Sequence, residues 1–373
     1  MSIYESIDLR KVINASGKMT ILGVSTPADE VSQSVYEASR DFVVIDELMK
    51  RAGELISDHT GAEASCITLG ASSGIAISTA AAITKGKISL VEKLPDSTGL
   101  KNEIIIQKGH CVNFGASITQ MIKIGGGKII EVGCANKVEI DHIKEAITDN
   151  TAVLFYVKSH HAVQKGMVSL DDMIKIGQEF NLPIIVDAAA EEDLKKYVRL
   201  GADMVIYSGA KAIEGPTSGF ITGKKHWIDA CYKQYKGIGR TMKISKESIM
   251  GLIKALELYE KKDNKALCEK QIKIVEYLKN EVSKIDGLTA DIEQDEAGRE
   301  IFRLKVKVNN DILGFDARAL IKELENGNPA IYTRNYYSNL GYIHFDPRPL
   351  HQGEEELLLD RLKEAVNYLK EAK

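Results

Sequence analysis

The sequence has 373 residues, of which 44% are hydrophobic and 27% are charged, and its formal net charge is −4 at pH 7. This composition is typical of a soluble globular protein, and the length predicts two domains. The acidic balance and the lack of a long basic tract argue against nucleic acid as a partner, because phosphate-binding proteins usually carry a basic surface.

Five cysteines are scattered through the sequence without a Cys-x-x-Cys pair, so neither a metal site nor a disulfide framework is predicted. No segment has the apolar length of a membrane span, and the first ten residues lack the apolar core of a secretion signal. We therefore expect a cytoplasmic protein with reduced thiols and no membrane partner.

In chain order, the first regular element is a long segment from Val31 to Leu55, whose apolar residues have helical spacing and predict a helix. From about residue 65 to 225, short apolar runs alternate with helical patterns, which indicates a largely parallel sheet with helices on both faces. The predicted strands are Ser65–Leu69, Glu103–Gln107, Lys128–Val132, Ala152–Val157, Leu182–Val186, Asp203–Tyr207 and Gly219–Thr222.

The pattern changes after about residue 245, where helices and strands of a smaller α/β domain are predicted. Ser245 is the predicted N-cap of a helix that ends near Lys261. The elements predicted after it are a helix at Leu267–Lys284, strands at Leu288–Ile292 and Ile301–Val308, a helix at Phe315–Leu324, strands at Ala330–Thr333 and Tyr342–Phe345, and a helix at Glu354–Glu371. The predicted domains are therefore 1–245, with an N-terminal arm and the large domain, and 246–373.

Two neighbouring strands of the predicted sheet end close to side chains of opposite charge. One strand is followed by Asp187, and the next is followed by Ser208 and then by Lys211. Enzymes that use pyridoxal phosphate need such a pair: a lysine amine bonds to the cofactor aldehyde, and a carboxylate keeps the ring nitrogen protonated. Lys211 and Asp187 are the candidate catalytic residues. Taken alone, they fit equally well a strand-end aspartate and a solvated lysine.

The loop Gly70-Ala-Ser-Ser-Gly74 follows a predicted strand and opens a predicted helix. Small residues at a helix N-terminus let backbone N–H groups approach an anion, so Ser72, Ser73 and Gly74 are candidate ligands of the cofactor phosphate. Alone, the loop fits a plain strand-to-helix turn with serine caps better than a phosphate site, and it matches neither the dinucleotide nor the Gly-Lys phosphate-loop pattern.

Two further side chains near strand ends are candidate cofactor contacts. Ser208 could supply another hydroxyl to the phosphate, and the ring of His110 could stack on the pyridine. A lone histidine is more often structural or solvent-facing.

Together these motifs resemble the selenocysteine synthase-related (SelA-like) group of pyridoxal phosphate enzymes with the aspartate aminotransferase fold. The similarity runs over nearly the whole chain. Its motifs are Val12–Gly17 at the start, Gly70–Gly74, Asp187–Ala189, Tyr207–Lys211 with Gly215–Gly219, and Asp346–Arg348. The resemblance implies fold type I, with a seven-stranded, mostly parallel sheet, a smaller C-terminal α/β domain and an active site at a homodimer interface.

The resemblance also implies substrate-binding residues. Arg334 matches the position at which related enzymes hold the substrate carboxylate, and Arg240 resembles a residue that reaches a neighbouring subunit's site. Either arginine could help to bind a phosphate. The segment Lys158-Ser-His-His161 stands where the selenocysteine synthases have a His-Thr-Ser-Asn run, which implies a different, polar and anionic substrate. His160 and His161 are the substrate-site candidates in it, and we expect one of them to face the pocket because neighbouring strand residues point to opposite sides.

Within this family we expect an ammonia-lyase that acts on a small phosphorylated amino-sugar acid. Selenocysteine synthases carry an N-terminal tRNA-binding domain, and this sequence starts directly at the family's opening motif, so a selenium or sulfur transferase acting on aminoacyl-tRNA is the second hypothesis. The other hypotheses are a different lyase, aldolase or racemase that acts on a small amino acid, and a binding protein without catalytic activity.

Overall fold

The computed structural model describes residues 3–159, 162–295 and 300–372, and these residues form two compact units. The larger unit comprises Pro27–Lys261, and the smaller one combines Met1–Thr26 with Lys262–Lys373. Within the described residues, no helix is both long enough and apolar enough to cross a membrane.

The strands of both units are numbered here in chain order. They are β1 Val12–Ala15, β2 Ala64–Thr68, β3 Glu103–Gln107, β4 Lys128–Val132, β5 Thr151–Val157, β6 Ile184–Asp187, β7 Met204–Ser208, β8 Gly219–Gly223, β9 Leu288–Gln294, β10 Phe302–Val308, β11 Ala330–Thr333 and β12 Tyr342–Phe345.

The α-helices are numbered in the same way. They are α1 Asp29–Ser39, α2 Ile45–Thr60, α3 Ala71–Thr84, α4 Ile88–Val91, α5 Ile118–Ile124, α6 Ile140–Lys144, α7 Leu170–Phe180, α8 Lys196–Leu200, α9 Lys225–Lys233, α10 Lys246–Tyr259, α11 Asn264–Val282, α12 Asn310–Leu313, α13 Ala317–Asn326 and α14 Glu354–Glu371.

The sheet of the larger unit has seven strands among the described residues, in the order β2-β8-β7-β6-β5-β3-β4. β8 runs antiparallel to both of its neighbours, and the other pairs are parallel. This arrangement confirms the predicted mostly parallel sheet of a fold type I enzyme. The carboxyl ends of β2, β3, β5, β6 and β7 consequently lie at one edge, where open α/β sheets bind their ligands.

Both faces of this sheet are buried, which explains why its strands are continuous apolar runs. Ile105, Leu154 and Val186 belong to the core on one face, whereas Ile104 and Val153 belong to the core on the other. The opposite face is covered in part by α3, whose residues from 73 to 84 are all buried. Because the side chains of α3 are mostly small and apolar, this helix packs close to the sheet.

The predicted helix from Val31 to Leu55 is wrong in one respect, because the structure divides it into α1 and α2. The hydroxyl of Ser39 donates back to the carbonyl of Tyr36 at 2.6 Å. The ammonium group of Lys246 donates to the carbonyl groups of Ala38 and Asp41 at the end of α1. These contacts satisfy carbonyl groups that a continuing helix would use, and they come from a residue about 200 positions away that no local pattern reveals.

The smaller unit contains an antiparallel sheet in the order β12-β10-β9 and a parallel pair, β1 with β11. The predicted domain boundary places residues 1–26 in the large domain and residues 246–261 in the small one. In the structure, β1 pairs with β11, and α10 packs on α1 and α2 in the larger unit. The difference arises because both placements depend on pairing between segments far apart in the chain.

Candidate active site

A cleft opens at the carboxyl edge of the parallel strands in the larger unit. The polar and charged side chains that line it are Ser72, Lys158, Ser159, Asp187 and Lys211, and the lining also includes Val112 and Phe114. These residues follow or end β2, β3, β5, β6 and β7. The sheet therefore brings the two predicted catalytic residues into one cleft.

Asp187 is the last residue of β6, and its side chain is buried with 7% of the residue exposed. Its Oδ1 accepts a hydrogen bond from the backbone N–H of Ala189 at 3.1 Å. Burial raises the pKa of Asp187 to about 6, although the charge of Lys211 and the Ala189 hydrogen bond act in the opposite direction. The carboxylate is thus poorly solvated, and a cationic group of a ligand would interact with it strongly.

Lys211 lies in the loop between β7 and β8. The loop is closed by two backbone hydrogen bonds, from Gly209 N–H to the Ser218 carbonyl at 2.9 Å and from Gly215 N–H to the Gly209 carbonyl at 2.8 Å. Burial lowers the pKa of Lys211, and the nearby charge of Asp187 partly opposes this effect. A lowered pKa increases the fraction of neutral amine, which is the form that attacks an aldehyde or accepts a proton.

The glycine loop before α3 contains predicted phosphate ligands, and the structure places them differently from one another. The hydroxyl of Ser73 accepts from Gly70 N–H at 2.9 Å and donates to the Gly70 carbonyl at 2.7 Å. The N–H of Gly74 donates to the same carbonyl at 3.0 Å. Ser72 is exposed and lines the cleft. The Ser73 hydroxyl and the Gly74 amide therefore shape the turn, while Ser72 lines the cleft, and the phosphate contacts of all three stay predictions.

Gly219, at the start of β8, allows the loop before α3 to approach the strand closely. A Cβ at this position would lie 2.7 Å from the carbonyl carbon of Gly70, 2.8 Å from the Tyr207 oxygen and 2.9 Å from the Ala71 nitrogen. All three neighbours are backbone atoms, which cannot move aside as a flexible side chain can. The cradle for an anion at the N-terminus of α3 thus depends on glycine here.

We expect Gly219→Ala to displace this loop and to destabilise the protein by about 1–3 kcal/mol, the usual cost of overpacking. The displacement should also weaken phosphate binding, so the dissociation constant of pyridoxal phosphate should rise by about tenfold. Thermal unfolding and equilibrium dialysis of the cofactor measure the two effects. Gly61→Ala is a suitable control, because nothing lies within 4 Å of a Cβ there, although its φ of +70° adds a small strain. Unchanged cofactor affinity in Gly219→Ala would contradict the assignment of the cradle.

His110 is not among the described residues that line the cleft. It ends a 3-10 turn after β3, is fully buried, and its Nδ1 accepts from the N–H of Val157 at 3.2 Å. Its ring packs edge-on against Tyr156, and burial lowers its pKa to about 4. The cleft-lining aromatic ring after β3 is Phe114. Ring stacking by His110 stays a prediction, and so does the phosphate contact of Ser208, which is half-buried at the end of β7.

Arg334 lies in the smaller unit, directly after β11. Its backbone pairs with His344 through two hydrogen bonds of 2.9 Å, and its guanidinium lies 4.8 Å from the ring centre of Tyr336. Burial and the neighbouring Arg303 lower the pKa of Arg334.

The other predicted substrate residues lie elsewhere in the chain. Arg240 is exposed in a 3-10 turn of the larger unit. His160 and His161 lie outside the described residues.

A buried ionic cluster lies near Arg334 in the smaller unit. The guanidinium of Arg303 binds Asp295 and Asp346 at 3.0 Å each, and Arg348 binds Asp346 at 2.7 Å. Burial opposes ionisation of Asp346, but the two arginines outweigh it and hold its pKa well below the ordinary value. Asp346 and Arg348 of the family signature belong to this cluster, in which the charges of two arginines and two aspartates balance.

Comparison with known proteins places the chain in a family. Residues 12–318 match the family model described as SelA, L-seryl-tRNA selenium transferase. The chain belongs to the SelA family. This confirms the resemblance stated from the sequence.

Relatives within the SelA family differ in activity. A D-glucosaminate-6-phosphate ammonia lyase of Salmonella typhimurium is 50% identical over 98% of both chains. A 5'-C-glycyluridine monooxygenase-decarboxylase of a Streptomyces species is 39% identical over 97% of this chain and 92% of the relative. An L-seryl-tRNA(Sec) selenium transferase of Aquifex aeolicus is 27% identical over 78% of this chain and 69% of the relative.

Solved structures agree with the sequence comparison. The structure of D-glucosaminate-6-phosphate ammonia-lyase superposes with a TM-score of 0.93, at 50% identity over 99% of both chains. An aspartate aminotransferase of Thermotoga maritima superposes with a TM-score of 0.54 at 15% identity, over 98% of this chain and 97% of that chain. The latter shows the shared fold.

The protein is an enzyme, and its cofactor is pyridoxal phosphate, as the SelA family and the fold imply. The residues of the cleft fit this group. Lys211 can bond to its aldehyde, Asp187 can pair with its ring nitrogen, and Ser72 with the first amides of α3 can bind its phosphate. The fit rests on this donor set in one cleft and on the close approach of the loop before α3 to Gly219, where a Cβ would collide with backbone atoms.

Proposed function

We propose that the protein converts D-glucosaminate 6-phosphate to 2-keto-3-deoxygluconate 6-phosphate and ammonia. The observation that carries the proposal is the 50% identity, over 98% of both chains, to an enzyme named for this substrate. The Lys211–Asp187 pair in one cleft supports the same chemistry, because a 2-amino acid with a hydroxyl at C3 can lose both groups after proton removal from C2.

When bound, pyridoxal phosphate supplies an electron-accepting ring that stabilises negative charge at C2 of the substrate. Lys211 would hold the cofactor through its aldehyde and, after exchange with the substrate amine, would be placed to take the C2 proton. Asp187 would pair with the ring nitrogen and keep it protonated. Ser72 and the first amides of α3 would bind the phosphate and so orient the ring.

The overall reaction is balanced in water. Removal of the C2 proton and of the C3 hydroxyl releases one water molecule and leaves a double bond between C2 and C3. A proton returned to C3 converts this enamine to an imine, and hydrolysis of the imine consumes one water molecule and releases ammonia. Burial of Lys211 serves the first step, because its lowered pKa leaves more of the amine in the neutral form that accepts a proton.

The remaining substrate contacts are proposals that rest on the family resemblance. Arg334 and Arg240 are assigned to the anionic groups of the substrate, and His160 and His161 to its polar middle part. The guanidinium fork of an arginine suits both a carboxylate and a phosphate.

Release of ammonia and keto acid from D-glucosaminate 6-phosphate by the purified holoenzyme tests the proposal. D-glucosaminate without the phosphate and D-serine are the comparison substrates, and we expect much slower turnover with both. If D-serine reacts as fast as the sugar acid phosphate, the enzyme is a lyase of small amino acids. Without any ammonia release, the assigned activity is wrong while the cofactor assignment is unaffected.

A selenium transferase activity on seryl-tRNA is the second candidate, favoured by the match to the SelA family model. This chain is only 27% identical to the selenium transferase of Aquifex aeolicus, and its net charge of −4 disfavours tRNA binding. A gel-shift titration with seryl-tRNA decides between the two activities, and we expect no specific complex.

We also propose that the enzyme acts in the cytoplasm as a homodimer or larger homo-oligomer. Exposed apolar side chains in the segment between α1 and α2, among them Phe42, Val43 and Val44, support association. Light scattering of the purified protein measures the mass of the assembly, and a monomer at micromolar concentration would contradict the proposal.

A further inference from the structure

We propose that Lys158 binds the carboxylate of the substrate in the active-site cleft. The inference rests on the proposed function, because it assigns one group of that substrate to a residue for which neither the family resemblance nor the comparisons give a role.

The first support is the position of Lys158 at the carboxyl end of β5. Val157 is paired with Asp187 across β5 and β6, and the N–H of Lys158 donates to the Asp187 carbonyl at 2.8 Å. Lys158 therefore follows the strand next to the one that carries the catalytic aspartate. Its side chain lines the same cleft as Lys211 and Ser72.

The second support is that Gln164 restrains the Lys158 side chain. The Oε1 atom of Gln164 lies 3.4 Å from Nζ of Lys158 and also accepts from the hydroxyl of Tyr156 at 3.2 Å. Its Nε2 donates to the Val157 carbonyl at 3.2 Å. The amide is thus fixed by two other groups, and it presents an oxygen to the ammonium while leaving other N–H donors of Lys158 for a ligand.

The third support is the balance of charge in the cleft. Among the described residues that line it, the charged groups are Asp187, Lys158 and Lys211. Asp187 interacts with Lys211. The contact of Lys158 Nζ within the described residues is with the neutral amide oxygen of Gln164, at 3.4 Å. The ammonium group of Lys158 is half-buried, and its partner in the protein is a neutral amide. Burial of this charge costs free energy, which the opposite charge of an anionic ligand would offset.

The chemistry of the substrate then selects the anion. The carboxylate carbon is bonded directly to C2, the atom whose proton Lys211 removes, so the carboxylate must lie in the cleft that contains Lys211. The substrate phosphate, on C6, is four carbon–carbon bonds from C2 and can reach beyond the cleft. The cofactor phosphate is assigned to the N-terminus of α3. The carboxylate is therefore assigned to Lys158.

The test compares two inhibitors that differ in one group. D-gluconate 6-phosphate carries the carboxylate, and D-glucitol 6-phosphate has a neutral hydroxymethyl group in its place; neither has the reacting amine. Calorimetric titration of the holoenzyme should show at least about tenfold tighter binding of the gluconate. Lys158→Met should bind both compounds with nearly equal affinity, because the substitution lowers the affinity for D-gluconate 6-phosphate and leaves that for D-glucitol 6-phosphate unchanged. Lys158→Arg should recover part of the preference.

Lys165→Met is the matched control, because Lys165 is exposed in the loop after β5 and is not among the described cleft residues. It should keep the preference of the parent. The cofactor content and the visible spectrum of substrate-free Lys158→Met should equal those of the parent. A changed spectrum with an unchanged preference would assign Lys158 to the cofactor and overturn the inference.

The same titration separates failure of this inference from failure of the proposed function. If the parent prefers the gluconate and Lys158→Met prefers it equally, Lys158 does not bind the carboxylate, and the proposed substrate still stands. If the parent binds neither phosphate compound and releases no ammonia from D-glucosaminate 6-phosphate, the proposed function is wrong, and the inference falls with it.

Discussion

Replacing Lys211 by alanine should lower kcat by at least about 10²–10⁴-fold, since loss of a positioned proton-transfer group alone has an effect of this size. The variant also loses the covalent bond to the cofactor, so its visible absorption band should shift to that of free pyridoxal phosphate. Ammonia release measures the first effect, and absorption spectroscopy measures the second. The structural basis is the burial of Lys211, which lowers its pKa, next to Asp187 in the cleft.

The cleft contains two lysines, and a chemical experiment distinguishes them. Treatment of the parent holoenzyme with borohydride should fix the cofactor to the peptide that contains Lys211, and the peptide that contains Lys158 should stay unmodified. Lys165→Ala is the control and should keep full activity, because its side chain is exposed. Attachment at Lys158, or turnover of Lys211→Ala within tenfold of the parent, would contradict the assignment of the catalytic lysine.

The strands of the larger unit could be predicted from the sequence because burial on both faces makes them continuous apolar runs. The predicted strands Glu103–Gln107 and Lys128–Val132 agree with the structure in every residue. The pairing of β1 with β11 could not be predicted, because it joins Val12 and Ala330 and leaves no local signal in either segment. The break between α1 and α2 is similar, since it depends on Lys246.

For the candidate site, the sequence predicts which residues lie at the ends of strands, but it does not predict the direction in which their side chains point. Asp187 and Lys211 were predicted because opposite charges follow two adjacent strands. The ring of His110 could be placed after β3, but its burial against Tyr156 depends on a turn that the sequence does not specify. Lys158 follows β5 in the same way that Asp187 ends β6, and the rule that ligands bind at carboxyl ends of strands could have identified it.

Replacing Asp187 by asparagine should have opposite effects on catalysis and on stability. The variant keeps the shape of the side chain but cannot carry the charge that holds the proton on the ring nitrogen. We expect kcat to fall by roughly 10²–10³-fold, the range seen when one preorganised electrostatic partner of a reacting group is removed. Single-turnover measurements at saturating substrate check this effect independently of substrate binding, and a loss below tenfold would contradict the assigned role.

The stability effect follows from the pKa of Asp187, which is raised to about 6 in the cofactor-free protein, whereas an aspartate in an unfolded chain has a pKa of about 3.9. Between these values the folded state holds a proton that the unfolded state has released. The unfolding free energy of the parent therefore decreases as the pH rises from about 4 to about 6, by ~2–3 kcal/mol in total. Asparagine has no such dependence, so Asp187→Asn should be more stable than the parent at pH 7.5 and similar to it near pH 4.

Thermal unfolding of the cofactor-free parent and variant at several pH values measures this difference. Asp203→Asn is an informative control, because the Asp203 carboxylate accepts from the N–H of Ile184 and pairs with Lys224, both at 2.7 Å. An asparagine there removes an ion pair and should destabilise the protein at pH 7.5. If Asp187→Asn also unfolds at lower temperature than the parent at that pH, the carboxylate stabilises the empty fold. If Asp187→Asn unfolds at a higher temperature than the parent, the Asp187 carboxylate destabilises the cofactor-free protein. The carboxylate is then present for its pairing with the ring nitrogen of the cofactor and not for the stability of the fold.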